Sequence, residues 1–124
     1  IDELCASDYY RDHTLVAKFV DGAFTGSNRD VARAIRPMLE GYYHRRYPGM
    51  LRKRTMFGKI IDDIEAARAP NPLVNLQPEL EELRAVNEYA SRFHHDTNPD
   101  ASHVIVSDNE LLRWAKRALD LIYK

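Results

Sequence analysis

The sequence predicts an all-α fold, a single bundle of about five helices. Apolar residues recur at spacings of three and four in five separate stretches, the pattern of amphipathic helices that bury one face. Turn-forming residues separate these stretches, and no alternating run of apolar and polar residues is long enough to indicate a strand. A chain of 124 residues is long enough for one hydrophobic core, so we expect residues 1–124 to form a single domain.

The first two predicted helices lie before residue 50. Apolar residues at helical spacing predict a first helix over about 8–24, ended by Thr25-Gly26. Ser27 can accept a hydrogen bond from the free amides of a second helix, which carries Asp30 in its first turn. The sequence Tyr47-Pro48-Gly49 then ends that helix, because proline does not continue a helix and glycine favours a turn.

Three further helices are predicted in the second half of the chain. A third helix begins near Thr55 and stops at Pro70-Asn71-Pro72. After a loop, Pro78 occupies the first turn of a fourth helix, whose apolar stripe ends near a pair of histidines. Ser107 and Glu110 have the spacing of a capping box at the start of a fifth helix.

The composition excludes some classes of protein. Hydrophobic residues make up 44% of the chain and charged residues 30%, which is typical of globular rather than disordered proteins. The 18 Lys and Arg residues nearly balance the 19 Asp and Glu residues, so overall charge does not point to nucleic acid. The longest apolar runs are far shorter than the roughly twenty residues of a membrane-spanning helix. We therefore expect no membrane partner.

The cysteine content indicates the cellular compartment, and the first residues indicate whether the chain is part of a longer polypeptide. Cys5 stands alone, which excludes an intramolecular disulfide and a cysteine-based zinc site. The reducing cytoplasm is the simplest location, and the periplasm is the alternative. The chain starts with Ile1 and lacks the basic and apolar regions of a signal peptide, so we expect it to be a piece of a longer polypeptide.

Arg36, Glu40 and the pair His94-His95 are the candidate catalytic residues. A guanidinium, a carboxylate and an imidazole are the groups that a metal-free attack on a phosphodiester needs. Arg36 would bind the scissile phosphate, one histidine would act as general base or acid, and Glu40 would orient Arg36 or share proton transfer. Because Pro37 lies beside Arg36, we expect the helix to kink at the site. The alternative is that Arg36 and Glu40 form an ordinary surface ion pair.

A basic segment, from His44 to Arg54, spans the end of the second helix and the residues after it, and no acidic residue occurs between positions 41 and 61. The candidate RNA-binding residues are Arg45, Arg46, Arg52, Lys53 and Arg54. The interleaved tyrosines suit base stacking, although tyrosines at this spacing commonly pack in a core. The alternative for the basic residues is that they complement the dipole of the helix C-terminus. A zinc site is disfavoured because no standard ligand spacing matches its candidate ligands, which are His94, His95, Asp96 and His103.

Three segments together resemble a known family. Residues 36–42, the Tyr47-Pro48-Gly49 stop and residues 87–95 resemble the C-terminal region of bacterial AAA/ABC (SMC-like) ATPases related to the PrrC and RloC anticodon nucleases. In that family a helical, HEPN-like ribonuclease module follows the ATPase. Its proposed active residues are an arginine, a glutamate four positions on and a later histidine. The matching positions here are Arg36, Glu40 and His94 or His95.

The resemblance implies a metal-independent endoribonuclease that cleaves RNA, with tRNA as the class of target, in phage defence or a stress response. It implies no cofactor in this chain, since ATP and Mg belong to a preceding ATPase domain, and it implies that ATPase domain and a second copy in a homodimer as partners. The alternative is a non-catalytic dimerisation or docking module of the same ATPase. That alternative arises because the HEPN arginine–histidine signature is not intact: His94 follows Arg92 too early and His103 too late.

Overall fold

The described part of the chain contains five α-helices and two 3₁₀ segments. The computed structural model describes residues 2–51, 56–94 and 96–123, with side chains from residue 9 onward. The α-helices are α1 (Asp2–Val20), α2 (Asn28–Arg46), α3 (Phe57–Ala66), α4 (Leu80–Ser91) and α5 (Asp108–Ile122). The 3₁₀ segments are Pro72–Glu79 and Ala101–His103. No strand occurs within the described ranges, so the predicted all-α bundle is confirmed.

Helix α2 lies at the centre of the bundle and contacts each of the other four α-helices. Its apolar residues are buried around most of its circumference, because neighbours cover it on several sides. These buried apolar residues are Val31, Ala32, Ala34, Ile35, Met38, Leu39 and Tyr43. A polar side chain on the buried face of α2, such as that of Arg36, is therefore surrounded by protein and needs a partner there, whereas Arg33 points away from this face and is exposed.

Helix α1 ends earlier than the sequence predicts. It stops at Val20, not at Thr25-Gly26, because Gly22 adopts a positive φ of 77°. The amide of Ala23 donates to the carbonyl of Lys18 at 2.9 Å, and the amide of Gly22 donates to that of Phe19 at 3.1 Å. This pair of hydrogen bonds is the Schellman arrangement, in which glycine relieves the steric strain of a left-handed residue.

The ends of α2 agree with the prediction, but the predicted side-chain caps are wrong. Helix α2 follows Ser27 and ends before Tyr47, and it continues through Pro37. Neither Ser27 nor Ser107 makes a side-chain capping hydrogen bond. Both serines are exposed, so water can solvate their hydroxyls, and Glu110 instead lies 3.4 Å from Arg92 in an ion pair.

The stretch before α4 is a 3₁₀ segment rather than the predicted loop, and Pro78 lies inside it rather than in the first turn of α4. The Asn71 side chain accepts a hydrogen bond from the amide of Leu73 at 2.9 Å and begins the segment. Gln77 donates to the carbonyls of Ile64 and Ala67 at the end of α3, where fewer backbone amides are available to them. The segment therefore closes the C-terminus of α3 while it buries its own leucines.

The third and fifth helices complete the bundle. Helix α3 begins at Phe57, after the extended residue Met56. The predicted start was near Thr55, which lies outside the described residues. Helix α5 packs on α4, with the rings of Tyr89 and Trp114 stacked at a centroid distance of 5.4 Å. Within the described ranges, no helix combines the length and the apolar character needed to cross a bilayer.

Candidate functional site

Arg36 is the buried centre of a cluster of polar residues that also contains Glu40, His94 and Asp96. Its side chain extends from the middle of α2, and the residue is only 7% exposed. One guanidinium nitrogen, Nη2, donates to both carboxylate oxygens of Asp96, each at 2.9 Å, across 60 positions of sequence. Asp96 lies in the turn after α4, so this contact joins the end of α4 to the central helix. A buried guanidinium needs such a partner, because an unpaired charge in this position would be strongly destabilising.

Glu40 joins the same cluster to the start of α3. Its Oε2 lies 3.7 Å from Nε of Arg36, which is an ion pair between neighbouring turns of α2. The same oxygen accepts a hydrogen bond from the amide of Phe57 at 2.7 Å. Phe57 is the first residue of α3, whose free amides and dipole favour a negative charge. Glu40 thus caps α3 from a different helix.

His94 lies next to these residues and is partly buried. Burial and the positive charge of Arg36 lower its pKa from 6.5 to about 4, although the Asp96 carboxylate opposes the change. The imidazole is therefore neutral at pH 7. Its Nε2 is buried and has no hydrogen-bond partner among the described residues, and the same is true of Nε of Arg36.

The two carboxylates of the cluster are shifted in opposite directions. Burial raises the pKa of Glu40, and the amide of Phe57 and the charge of Arg36 only partly offset that effect. Burial would also raise the pKa of Asp96, but the hydrogen bond and the charge of Arg36 outweigh it and leave this pKa lowered. Titratable groups whose pKa values are driven apart are common where proton transfer takes place, and they also occur in structural ion-pair networks.

An open groove of about 600 Å³ runs beside the cluster. Helix α1, the turn before α2 and the first half of α2 form its walls, and Arg33, Pro37 and His94 lie along one side. Of the cluster residues named above, only His94 lines the groove as the described residues define it. His94 is therefore the cluster side chain that connects the charge of Arg36 to this groove.

Arg45 and Arg46, the candidate RNA-binding residues that the structure describes, lie apart from the cluster. Arg45 stands nine positions after Arg36, which on a helix places it about 14 Å along the axis and on the opposite face. Its guanidinium lies over the rings of Tyr9 and Tyr10, at 5.4 Å and 4.9 Å from their centroids. Arg46 lies over the Tyr47 ring at 5.6 Å. The remaining candidate RNA-binding residues, which fall outside the described residues, are Arg52, Lys53 and Arg54.

The structure brings Arg36, Glu40 and His94 into one neighbourhood, while His95 lies outside the described residues. The sequence pattern does not identify Asp96 as the partner of Arg36 and suggests it only as a ligand of the disfavoured zinc site. Its position directly after the histidine pair was the available signal. Among the residues that the structure describes, no three His, Cys, Asp or Glu side chains group closely enough to hold a metal ion.

Comparison of the chain with family models, with curated proteins and with solved structures finds no match. The chemistry of the Arg36 cluster is accordingly the basis for a functional proposal.

Proposed function

We propose that this chain is a metal-independent ribonuclease module with Arg36, Glu40 and His94 at its active site. The observation that carries the proposal is their convergence. Arg36 and Glu40 form an ion pair, and the charge of Arg36 acts on an imidazole 58 positions later in the sequence. These are the residue types that transesterification of a phosphodiester requires.

Each of the three side chains has a defined task in the proposed reaction. The guanidinium of Arg36 binds the non-bridging oxygens of the phosphate and stabilises the charge that develops on them. Neutral His94 accepts the proton of the ribose 2′-hydroxyl as that oxygen attacks phosphorus. Glu40 orients Arg36 through their ion pair, and His94, protonated by the attack, then gives its proton to the 5′-oxygen that leaves. The products are a 2′,3′-cyclic phosphate and a free 5′-hydroxyl.

The wider setting of the proposal follows the family resemblance. The module is HEPN-like, belongs to a cytoplasmic ATPase related to the anticodon nucleases, and cleaves tRNA during phage defence or stress. It acts as a homodimer, and ATP and Mg are bound by the ATPase domain. Arg45 and Arg46 are exposed, and together with the basic residues at 52–54 they supply phosphate contacts that weaken as salt rises.

A second candidate function is a non-catalytic docking or dimerisation module of the same ATPase. The low exposure of Arg36 favours it, because the guanidinium is already held by Asp96 and Glu40. In this reading the cluster is a structural clamp that fixes the ends of α4 and α3 against α2. No substrate contact is required.

Cleavage of RNA by the full-length protein in the presence of a chelator distinguishes the two functions. Arg36→Lys and His94→Asn should each reduce cleavage by about 100-fold, because the first removes the guanidinium that holds the phosphate oxygens and the second removes the general base. Arg84→Lys is the matched control, since Arg84 is an exposed arginine of α4 that pairs with Glu65. Circular dichroism checks that every variant is folded.

The docking alternative predicts a different set of results. Wild-type protein would then cleave no RNA under any condition, and Arg36→Lys would lower the midpoint of thermal unfolding or prevent assembly. Cleavage that survives in both folded site variants would refute the catalytic proposal.

A further inference from the structure

We infer that Arg36 belongs to a phosphate-binding site that Asp96 fills with its own carboxylate in the present conformation. Asp96 directs both oxygens to Nη2 of Arg36, each at 2.9 Å. A phosphate group offers a guanidinium a pair of oxygens in the same way, so the carboxylate occupies the place of the ligand. The inference rests on the proposed function, because it describes how access of a phosphate to the same arginine is blocked.

The exposure of the two partners shows where a ligand enters. The Arg36 side chain is 8% exposed, whereas the Asp96 side chain is 36% exposed. The buried cation is thus covered by a carboxylate that lies at the surface. A phosphate that approaches from solvent meets Asp96 first and must displace it.

The turn that carries Asp96 can stay in place while the carboxylate moves. Thr97 Oγ1 donates to the carbonyl of Ser91 at 2.6 Å, and the side chain of Asn98 donates to that of Arg92 at 3.0 Å. These bonds hold the turn on the end of α4 and do not involve the Asp96 side chain. Rotation of that side chain into solvent therefore uncovers Arg36 without unfolding the turn.

Two buried polar atoms favour phosphate over carboxylate as the final occupant. Nε of Arg36 and Nε2 of His94 have no hydrogen-bond partner among the described residues. A carboxylate has two oxygens, and both are engaged by Nη2. A phosphate has additional oxygens, which can accept from Nε of Arg36 and from His94 in the tautomer that carries a proton on Nε2. The ligand class is accordingly a phosphate mono- or diester.

The thermal unfolding of the full chain at increasing concentrations of inorganic phosphate tests this inference. Asp96→Asn removes the competing charge, so we expect phosphate to bind this variant at least about tenfold more tightly than wild type, in which the open state is a minor fraction. Asp100→Asn is the matched control, because Asp100 is an exposed aspartate of the same loop. Addition of Arg36→Lys to the Asp96→Asn variant should abolish the gain, since lysine lacks the guanidinium that engages both oxygens.

Each outcome supports or contradicts a phosphate-binding site that is blocked by Asp96. Equal phosphate affinity of wild type and Asp96→Asn would overturn the inference, and so would a gain that survives Arg36→Lys. If Asp96→Asn is destabilised, recovery of its unfolding temperature with phosphate, but not with chloride, supports the inference. RNA cleavage is measured on the same samples. Tight phosphate binding by Asp96→Asn without any cleavage would refute the ribonuclease and still support the phosphate site. Cleavage without a difference in phosphate binding would support the ribonuclease and refute the blocked phosphate site.

Discussion

His94 should make the stability of this protein depend on pH, and the size of the effect follows from its surroundings. Its pKa is about 4 in the folded chain, against 6.5 for an ordinary histidine. As the pH falls below the ordinary histidine pKa of 6.5, His94 becomes protonated in the unfolded chain but stays neutral in the folded chain. The free energy of unfolding must therefore decrease between these two pH values.

The magnitude can be worked out from the shift. One pKa unit is worth about 1.4 kcal/mol, so the full shift corresponds to roughly 3 kcal/mol. His94 is partly buried, and contact with solvent reduces the value. We expect wild type to lose about 1–3 kcal/mol more than His94→Asn between about pH 7 and about pH 4. The asparagine variant has no imidazole to titrate.

Urea denaturation at a series of pH values measures this difference. Subtraction of the His94→Asn curve removes most of the contribution of the carboxylates, which titrate in both proteins. His103→Asn is the control, because His103 is exposed. Parallel pH profiles for wild type and His94→Asn would show that burial and the charge of Arg36 do not act on this imidazole, and its role as a neutral base would then be untenable.

Three further predictions concern the packing around the site, and each is read from urea or thermal denaturation. Glu40→Gln keeps an oxygen for the amide of Phe57, so it should be about 1 kcal/mol more stable than Glu40→Ala; equal stability would contradict the capping role. Tyr43→Phe should leave the protein equally stable or gain up to about 1 kcal/mol, because the buried hydroxyl has no partner among the described residues; a loss above about 1 kcal/mol would reveal a missing contact. Gly41→Ala should destabilise by about 1 kcal/mol despite the better helix propensity of alanine, since its Cβ would lie 3.0 Å from Cβ of Tyr9 and force α1 away from α2; a more stable variant would show that α1 adjusts freely.

Local patterns predicted the helices well and the details of their ends less well. The apolar periodicity around Val31 and Leu39 and the stop at Pro48 were sufficient for α2, because both signals act within a few residues. The end of α1 was misjudged, since Gly22 competes with Gly26 as a terminator and only the hydrogen bonds of the turn select between them. The capping box at Ser107 is also absent: the Ser107 side chain makes no capping hydrogen bond, and Glu110 pairs with Arg92 at the end of α4.

The candidate site shows the limit of local reasoning. The four-residue spacing of Arg36 and Glu40 indicated an ion pair, and the ion pair is present at 3.7 Å. That spacing says nothing about burial, and burial changes an ordinary surface pair into a cluster that must be neutralised by a third group. The third group is Asp96, sixty positions away and unrecognised in the sequence.

The order of amino acids by itself determines the number of helices, the all-α class and the residue types available for phosphate chemistry. These follow from periodicity and side-chain chemistry, which are short-range properties. The covering of Arg36 by Asp96, the capping of α3 by Glu40 and the low pKa of His94 arise only when α2 is enclosed by the other four helices. Desolvation and the distance between charges depend on which distant segments pack together, and a linear pattern contains neither quantity.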